Sequence, residues 1–291
     1  MLFLAIMNQK RKKRSVLNLV LAVVVGIPIL VAVGFVAWTR LARYPAFPEA
    51  AALTKSAKVL HEWYVFQPLQ ISDSSNGAGQ NSSALFKGTG FIFYPGGLVD
   101  PAAYAPLMER LSDAGLFSVI VPMPLDLAIF GINAAKRVMD AYPEIQHWII
   151  GGHSLGGSMA AEFIKKNPSL SASANEQRAL QGQSKGQRQG VIEGLVLLAS
   201  YPAKTTNLST FPIRVVSIYG SNDGVLSSEF EYSLQRLPPT TRLIRIEGGN
   251  HAQFGNYGPQ KGDGIATISR EAQQERTIEP IVALARTIAG Y

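Results

Sequence analysis

The chain contains no cysteine among its 291 residues. This absence excludes disulfide bonds, thiolate zinc sites, iron–sulfur clusters and a cysteine nucleophile, as well as lipid attachment through cysteine. Any attachment to a membrane must therefore be made of peptide. Charged residues are also sparse, at 16% against 47% hydrophobic residues, which excludes a globally disordered protein. The length suits one large domain or two small ones.

Acidic residues are absent from the first 44 positions, which carry seven of the 27 basic side chains: Lys10, Arg11, Lys12, Lys13, Arg14, Arg40 and Arg43. The remaining 20 basic groups are balanced by 20 acidic groups elsewhere in the chain, so the net charge of +7 belongs to the N-terminus. The bulk of the protein has no electrostatic reason to bind phosphate, and we expect no nucleic-acid partner.

Val16–Trp38 is apolar apart from Asn18. As a helix, this segment spans roughly 35 Å, which is enough to cross a hydrocarbon core. The basic run Lys10–Arg14 precedes it, and this asymmetry predicts a cytoplasmic N-terminus and a domain outside the cytoplasm. We therefore expect a basic cytoplasmic segment (1–15), a single-pass signal anchor in the cell membrane (16–38), a linker (39–57) and a folded domain (58–291).

Two alternatives to the anchor stay open at this point. A cleaved signal peptide has a shorter apolar region, of 7–15 residues in general, and a small-residue cleavage site, which is not evident before Thr39. A buried helix of a soluble protein is the other alternative. The length of the apolar segment favours the uncleaved anchor.

Short apolar runs alternate with helical patterns throughout 58–291, which predicts an α/β fold with a mostly parallel sheet covered by helices on both faces. The tail Ile268–Ala289 is predicted to be helical and broken before Pro280, and 169–190 is predicted to be a mobile polar insertion. No Gly-x-Gly-x-x-Gly follows the first strand, which argues against a dinucleotide site. The predicted strands are Lys58–Phe66, Thr89–Tyr94, Leu116–Val121, Ile145–Ile150, Val191–Leu198, Ile213–Tyr219 and Arg242–Ile246.

A Gly-x-Ser-x-Gly pattern lies at Gly152–Gly156, between a buried strand and a helix. The pattern alone is a weak signal, but in this context it predicts a nucleophile elbow, with Ser154 on a sharp turn. Glycines suit that turn because side chains on either side of the serine would collide with the packed strand and helix. Ser154 is therefore our candidate nucleophile.

A serine hydroxyl needs a base to remove its proton. Of the four histidines, His61 and His147 lie in predicted strands, and His153 adjoins Ser154 on a turn that directs neighbouring side chains apart. His251 instead follows the last strand in a glycine-rich loop, at the sheet edge where catalytic groups collect. We predict that His251 is the base and that the other three histidines are structural.

Asp223 is the candidate acid that orients the base, because it follows the strand Ile213–Tyr219 at the same edge. Simple turn chemistry is the other reading of its Asn-Asp-Gly context. An oxyanion hole needs two backbone N–H groups. We assign one to Leu155, directly after the serine, and the other to Gly97, with Leu98 as the second choice.

Four motifs resemble those of the α/β-hydrolase superfamily: Tyr94–Gly97, Gly152–Gly157, Gly220–Gly224 and Gly248–His251. The stretch 248–255 is similar to a compact bacterial branch related to dienelactone hydrolases. The resemblance, over roughly 58–289, implies an eight-stranded, mostly parallel sheet and a Ser-His-Asp triad. Dienelactone hydrolases proper use cysteine, which this chain lacks, so the resemblance does not imply a dienelactone substrate.

In this superfamily a cap usually follows the strand corresponding to Val191–Leu198, and here only 199–211 is available for one. We therefore expect an open site for small acyl substrates. The candidate pocket residues are Leu98, Leu125, Asp126, Phe130 and Asn250. We predict no metal and no cofactor, since the histidines are scattered and no carboxylates pair with them at ligand spacing.

The sequence thus predicts a membrane-anchored serine hydrolase acting on an ester or another acyl bond. Two further hypotheses stay open: an acyltransferase on the same triad, and a non-catalytic binding module on the hydrolase fold.

Overall fold

The computed structural model describes residues 7, 22–60, 62–68, 86, 88–171 and 190–290. The chain divides into two compact units, Met1–Arg43 and Tyr44–Tyr291. Several predictions fall wholly or partly outside the described residues: the basic run Lys10–Arg14, the first residues of the predicted anchor, His61 and most of the polar insertion 169–190.

The described residues of the first unit include an apolar helix. A π-helical turn, Ala22–Gly26, leads into helix α1, Ile27–Leu41. Within the described part of the chain, Val23–Leu41 is long and apolar enough to cross a membrane, with a mean hydropathy of 2.0, and only 6% of this stretch is buried. A helix of this kind near an N-terminus is typical of a membrane anchor or a signal sequence.

Within the described residues of the second unit, eight strands form one sheet in the order β1-β2-β4-β3-β5-β6-β7-β8. Strand β2 pairs antiparallel with β1 and with β4, and all other neighbours pair parallel. The α/β fold predicted from the sequence is confirmed. The strands are β1 Lys58–Leu60, β2 Trp63–Phe66, β3 Thr89–Tyr94, β4 Phe117–Ile120, β5 His147–His153, β6 Val191–Leu198, β7 Arg214–Gly220 and β8 Arg242–Ile246.

Helices cover both faces of the sheet, because strands β3 to β7 bury side chains on both sides. The helices of this unit are α2 Pro48–Ser56, α3 Ala105–Asp113, α4 Ala134–Ala141, α5 Leu155–Lys166, α6 Glu229–Ser233 and α7 Arg270–Ala289. Residues of α4 and α5 join the core on one face, and residues of α3 and α7 join the core on the other.

Two local predictions are wrong. The predicted strand Lys58–Phe66 is a hairpin of β1 and β2, and Glu62 in its turn has a φ of 70°. Helix α7 runs through Pro280 without a break. The proline removes one backbone donor, but burial of Ile278, Ile281 and other apolar residues of α7 against the sheet holds the two halves in one helix.

Much of the segment predicted as a linker, 39–57, lies in helices: the end of α1 and the whole of α2. Helix α1 continues to Leu41, and from Tyr44 onward the chain belongs to the second unit. Tyr44 forms a bridge with Val99, and the Tyr44 N–H donates to the Leu98 carbonyl at 2.7 Å. Its aromatic ring packs 5.8 Å from that of Tyr257. Aromatic packing and this backbone bridge therefore hold Tyr44, within the predicted linker, in the second unit.

Candidate active site

Ser154 occupies a strained turn between β5 and α5. Its φ of 51° and ψ of −123° are rare for a residue with a side chain, and such a conformation costs on the order of 1–3 kcal/mol. Neighbouring groups hold it in place. The Ser154 N–H donates to the Leu198 carbonyl at 2.9 Å, and the Ser200 hydroxyl donates to the Ser154 carbonyl at 2.6 Å. The turn has the geometry expected of a nucleophile elbow.

The glycines around Ser154 are required by close backbone packing. A Cβ on Gly156 would lie 2.1 Å from the Tyr94 carbonyl oxygen, and one on Gly152 would lie 2.4 Å from the same atom. Both distances are far below van der Waals contact, and the obstacle is backbone, which cannot rotate away. A side chain at either position would therefore collide with the backbone of strand β3, as the sequence analysis expected for the residues around the serine.

His251 and Asp223 form a buried pair. The His251 Nδ1 atom lies 2.9 Å from Asp223 Oδ2 and 3.2 Å from Oδ1, and both side chains are 1% exposed. An ionised carboxylate only accepts hydrogen bonds, so Nδ1 carries the proton and Nε2 of the neutral ring is left as an acceptor. The Asp223 carboxylate also accepts the N–H groups of Val225 and Leu226, each at 2.9 Å.

The free ring nitrogen of His251 is the one needed for proton transfer. Its Nε2 atom is buried and has no hydrogen-bond partner among the described residues. His251 and Ser154 line the same cavity, of about 370 Å³. The structure therefore brings the three predicted residues to one site from the loops after β5, β7 and β8. The other residues that line the cavity are Leu155, Ser158, Ala199, Ser200, Tyr201, Ala203, Val225 and Leu226.

The backbone N–H groups of Leu155, directly after the serine, and of Gly97 make no hydrogen bond among the described residues. The two loops are close, since a Cβ on Gly97 would lie 3.1 Å from Leu155 Cδ2. Leu98, our second choice for the oxyanion hole, donates its N–H to the Asp126 carbonyl at 2.8 Å instead. That bond leaves Gly97 as the available donor on this turn.

The Tyr104 hydroxyl supports the turn that carries Gly97, and sequence reasoning missed it. This hydroxyl accepts the Gly96 N–H at 3.0 Å and lies 2.8 Å from His153 Nδ1. Burial, followed by electrostatic repulsion that a proton on His251 would add, holds the pKa of His153 well below its usual range, which favours a neutral His153. Tyr104 lies 49 residues from His153, so no local pattern in the sequence signals the contact.

None of the five predicted pocket residues lines the cavity beside Ser154. Leu125 and Asp126 have positive φ, and Asp126 packs against the Gly97 turn through the hydrogen bond to Leu98. Phe130 lines a separate cavity of about 560 Å³. The Asn250 side chain is engaged in its own loop: it donates to the Gly264 carbonyl at 2.8 Å and accepts the Gln253 N–H at 3.1 Å.

His147 lies at the opposite edge of the sheet, at the start of β5. Its Nδ1 atom is 2.5 Å from Glu193 Oε1, and this hydrogen bond raises the pKa of His147. Among the described residues, no group of three or more His, Asp or Glu side chains is arranged to hold a metal ion.

Comparison with known protein families identifies the family to which the chain belongs. The model of the "Alpha/beta hydrolase family" matches residues 90–174 and 180–275, which is more than half of the chain. The chain belongs to the α/β-hydrolase family. No curated protein matches its sequence.

Solved structures of hydrolases resemble this chain at low sequence identity. A putative hydrolase from Agrobacterium vitis S4 is 15% identical, with a TM-score of 0.50, and the match covers 77% of this chain and 92% of the other. Carboxyl esterase 2 from the mycorrhizal fungus Tuber melanosporum is 14% identical, with a TM-score of 0.50 and coverage of 78% and 82%. A dienelactone hydrolase-like promiscuous phosphotriesterase from metagenomic libraries is 14% identical, with a TM-score of 0.46 and coverage of 69% and 86%.

Proposed function

We propose that this α/β hydrolase is a serine esterase in which Ser154 is the nucleophile, His251 the general base and Asp223 the residue that orients the base. The observation that carries the proposal is the pairing of His251 Nδ1 with Asp223, which leaves the buried Nε2 unpartnered on a residue that lines the same cavity as Ser154. The strained turn at Ser154 supports the same role.

The reaction follows from these positions. The Ser154 oxygen attacks the ester carbonyl carbon and its proton passes to His251 Nε2, while Asp223 stabilises the imidazolium. The N–H groups of Leu155 and Gly97 hold the negative charge on the former carbonyl oxygen. His251 then returns the proton to the departing alkoxide, which leaves an acyl-enzyme. A water molecule, deprotonated by His251, attacks that acyl group and regenerates Ser154.

The cavity favours a short acyl group. Its walls are mostly apolar, with side chains such as Ala199, Val225 and Leu226 beside serine and tyrosine hydroxyl groups, and its volume is about 370 Å³. The apolar walls suit an unsubstituted acyl chain rather than a charged one. The Tuber melanosporum structure is a carboxyl esterase, which is in keeping with an ester substrate. The preference for a short acyl group rests on the cavity of the present chain.

A fluorophosphonate probe tests the nucleophile. The wild-type protein is expected to be labelled, with the adduct mapped to Ser154 by mass spectrometry, and Ser154→Ala is expected to lose the label. Ser158→Ala is the matched control, since this serine lines the same cavity one helical turn away and should leave labelling intact. Equal labelling of Ser154→Ala and wild type contradicts the proposal, as does a wild type that is never labelled.

A p-nitrophenyl ester series tests the substrate class. Acetyl and butyryl esters are expected to give a higher kcat/KM than the palmitoyl ester, and a preference for palmitoyl would contradict the short-acyl assignment. An added alcohol distinguishes hydrolysis from acyl transfer. Hydrolysis predicts free acid as the main product, whereas an acyltransferase forms the new ester.

We further propose that the protein is anchored in the cell membrane by its N-terminal helix, with the hydrolase domain outside the cytoplasm. The apolar, largely exposed stretch Val23–Leu41 and the preceding basic run Lys10–Arg14 support this orientation. The full chain is expected to sediment with membranes and to require detergent for release. A C-terminal reporter that is active only in the cytoplasm would overturn the orientation.

A further inference from the structure

A second carboxylate, Asp263, lies behind the proposed acid–base pair. Its Oδ1 atom accepts the backbone N–H groups of His251 at 3.1 Å, Gly224 at 3.2 Å and Gly264 at 2.8 Å. Its Oδ2 atom accepts the N–H of Ala252 at 2.8 Å. One side chain therefore joins the loop after β7, which carries Asp223, to the loop after β8, which carries His251.

The loop around Asp263 is fixed against the same two loops at further points. The Ile265 carbonyl accepts from the Asn222 side chain at 2.9 Å, and the Gly264 carbonyl accepts from the Asn250 side chain at 2.8 Å. The packing at Gly264 is tight, because a Cβ there would lie 2.1 Å from the Asn222 carbonyl oxygen. The residues immediately before Asp223 and His251 are thus held by the segment that presents Asp263.

We propose that Asp263 is a positioning residue, whose carboxylate holds the backbone of both loops so that His251 Nδ1 stays within hydrogen-bond distance of Asp223. Hydrogen bonds to an ionised acceptor are roughly twice as strong as neutral ones, and four of them converge on this carboxylate. Asp263 does not line the cavity, so it acts through His251 and Asp223 rather than on the substrate. The inference rests on the proposed function of that pair.

Asp263→Asn is the direct test, because the amide keeps the size of the side chain but places an NH₂ group against a backbone donor. We expect kcat for p-nitrophenyl butyrate to fall on the order of tenfold to a hundredfold, with KM within about twofold of wild type. Glu247→Gln is the matched control. Glu247 is an exposed carboxylate on the loop that leads to His251, it pairs with Arg245, and its loss should leave kcat unchanged.

Proton NMR supplies a readout that does not depend on turnover. The proton on His251 Nδ1, shared with Asp223, should give a low-field resonance that is absent from His251→Ala. In Asp263→Asn we expect this resonance to weaken or vanish, while Glu247→Gln retains it. If Asp263→Asn does not fold, Asp263→Glu is the second test, because it keeps the charge but moves the oxygens by one methylene. We expect the same fall in kcat and the same weakening of the low-field resonance.

Folded Asp263 variants with wild-type kcat and an unchanged low-field resonance would overturn the positioning role. A rise in KM alone, with the resonance intact, would also overturn it, because it would indicate a contact with substrate. Failure of the proposed function is distinguishable. In that case the wild type itself is not labelled by the fluorophosphonate, whereas the NMR comparison still reports on the His251–Asp223 pair.

Discussion

The Tyr104 hydroxyl lies 2.8 Å from Nδ1 of His153, and the same hydroxyl accepts the N–H of Gly96 at 3.0 Å. His153 is fully buried directly before Ser154, and Gly96 directly precedes Gly97. One phenol group therefore connects the serine turn to the turn that supplies the proposed second oxyanion donor. The relative position of the two turns depends on a side chain that takes no part in bond making.

Removing that hydroxyl should slow catalysis more than it weakens binding. In Tyr104→Phe, the Gly96 N–H and His153 Nδ1 lose their partner in a buried site, which costs about 1–3 kcal/mol of stability. Displacement of the Gly97 N–H is expected to lower kcat by about tenfold with little change in KM. Steady-state kinetics on p-nitrophenyl butyrate and urea unfolding measure the two effects.

The control for this substitution is Tyr142→Phe. The Tyr142 hydroxyl is buried and has no hydrogen-bond partner among the described residues. Its removal takes away a buried polar group that has no partner, so it should leave stability unchanged or raise it, and it should leave kcat unchanged. Equal effects of Tyr104→Phe and Tyr142→Phe on kcat would show that the Tyr104 hydroxyl does not position the Gly97 turn.

Asp223→Asn should abolish most of the activity without unfolding the protein. An amide next to Nδ1 donates a hydrogen bond, which moves the ring proton of His251 to Nε2 and removes the acceptor that Ser154 needs. We expect kcat to fall by roughly three to four orders of magnitude, because a Ser-His-Asp triad that loses its acid holds the histidine in the wrong tautomer. Asp140→Asn, which removes an exposed carboxylate paired with Lys136, is the matched control. Activity within tenfold of wild type in Asp223→Asn would argue against Asp223 as the orienting acid.

Gly156→Ala tests the packing of the serine turn. The added Cβ would meet the carbonyl oxygens of Tyr94 and Pro95 at 2.1 and 2.3 Å, so strand β3 and helix α5 must separate. We expect a loss of about 3 kcal/mol or more in the free energy of unfolding. Gly258→Ala, where a Cβ meets nothing within 4 Å, should be neutral within about 1 kcal/mol. Urea denaturation of both variants measures their free energies of unfolding. A Gly156→Ala variant as stable as the wild type would refute the packing argument.

The stability of the protein should depend on pH through His153. Its pKa in the folded state lies well below the usual value, so below about pH 6.5 the unfolded chain binds a proton that the folded chain does not. The free energy of unfolding therefore falls as the pH drops below that value, by up to about 1.4 kcal/mol per pH unit. In His153→Gln this acid sensitivity is expected to be reduced, as measured by urea unfolding between pH 5 and pH 8.

His147 provides a control of opposite sign. Its pKa is raised in the folded state by Glu193, so its contribution to stability is fully present below the unfolded pKa and is lost as the pH rises through the folded pKa. His147→Gln should therefore make the wild-type acid sensitivity steeper. Parallel pH profiles for wild type and both variants would contradict these assignments.

The sequence was informative at the serine turn because its features are local. Gly152 and Gly156 flank Ser154 within five residues, and the strand and helix on either side have clear apolar patterns. Asp223 and His251 were predicted from their places after successive strands, since the carboxyl ends of parallel strands meet at one edge. The structure brings both to that edge beside Ser154, and their catalytic roles remain a proposal.

The pocket residues could not be predicted in this way. Tyr201 and Leu226 line the cavity, but they come from loops without a motif, and their placement depends on how those loops pack after β6 and β7. Tertiary packing also decides the helix that runs through Pro280, because burial against the sheet outweighs the local cost of the proline.

The sequence by itself determined the α/β class, the apolar N-terminal segment and the identity of the candidate Ser154, Asp223 and His251, because each depends on local pattern or on strand order. Only the tertiary structure decided which atoms meet. It left the Gly97 N–H free while engaging that of Leu98, coupled Tyr104 to His153, and placed Asp263 across the two loops of the acid–base pair. These contacts join residues 12 to 49 positions apart, and the free energy that selects them comes from burial and hydrogen bonding, which no local pattern records.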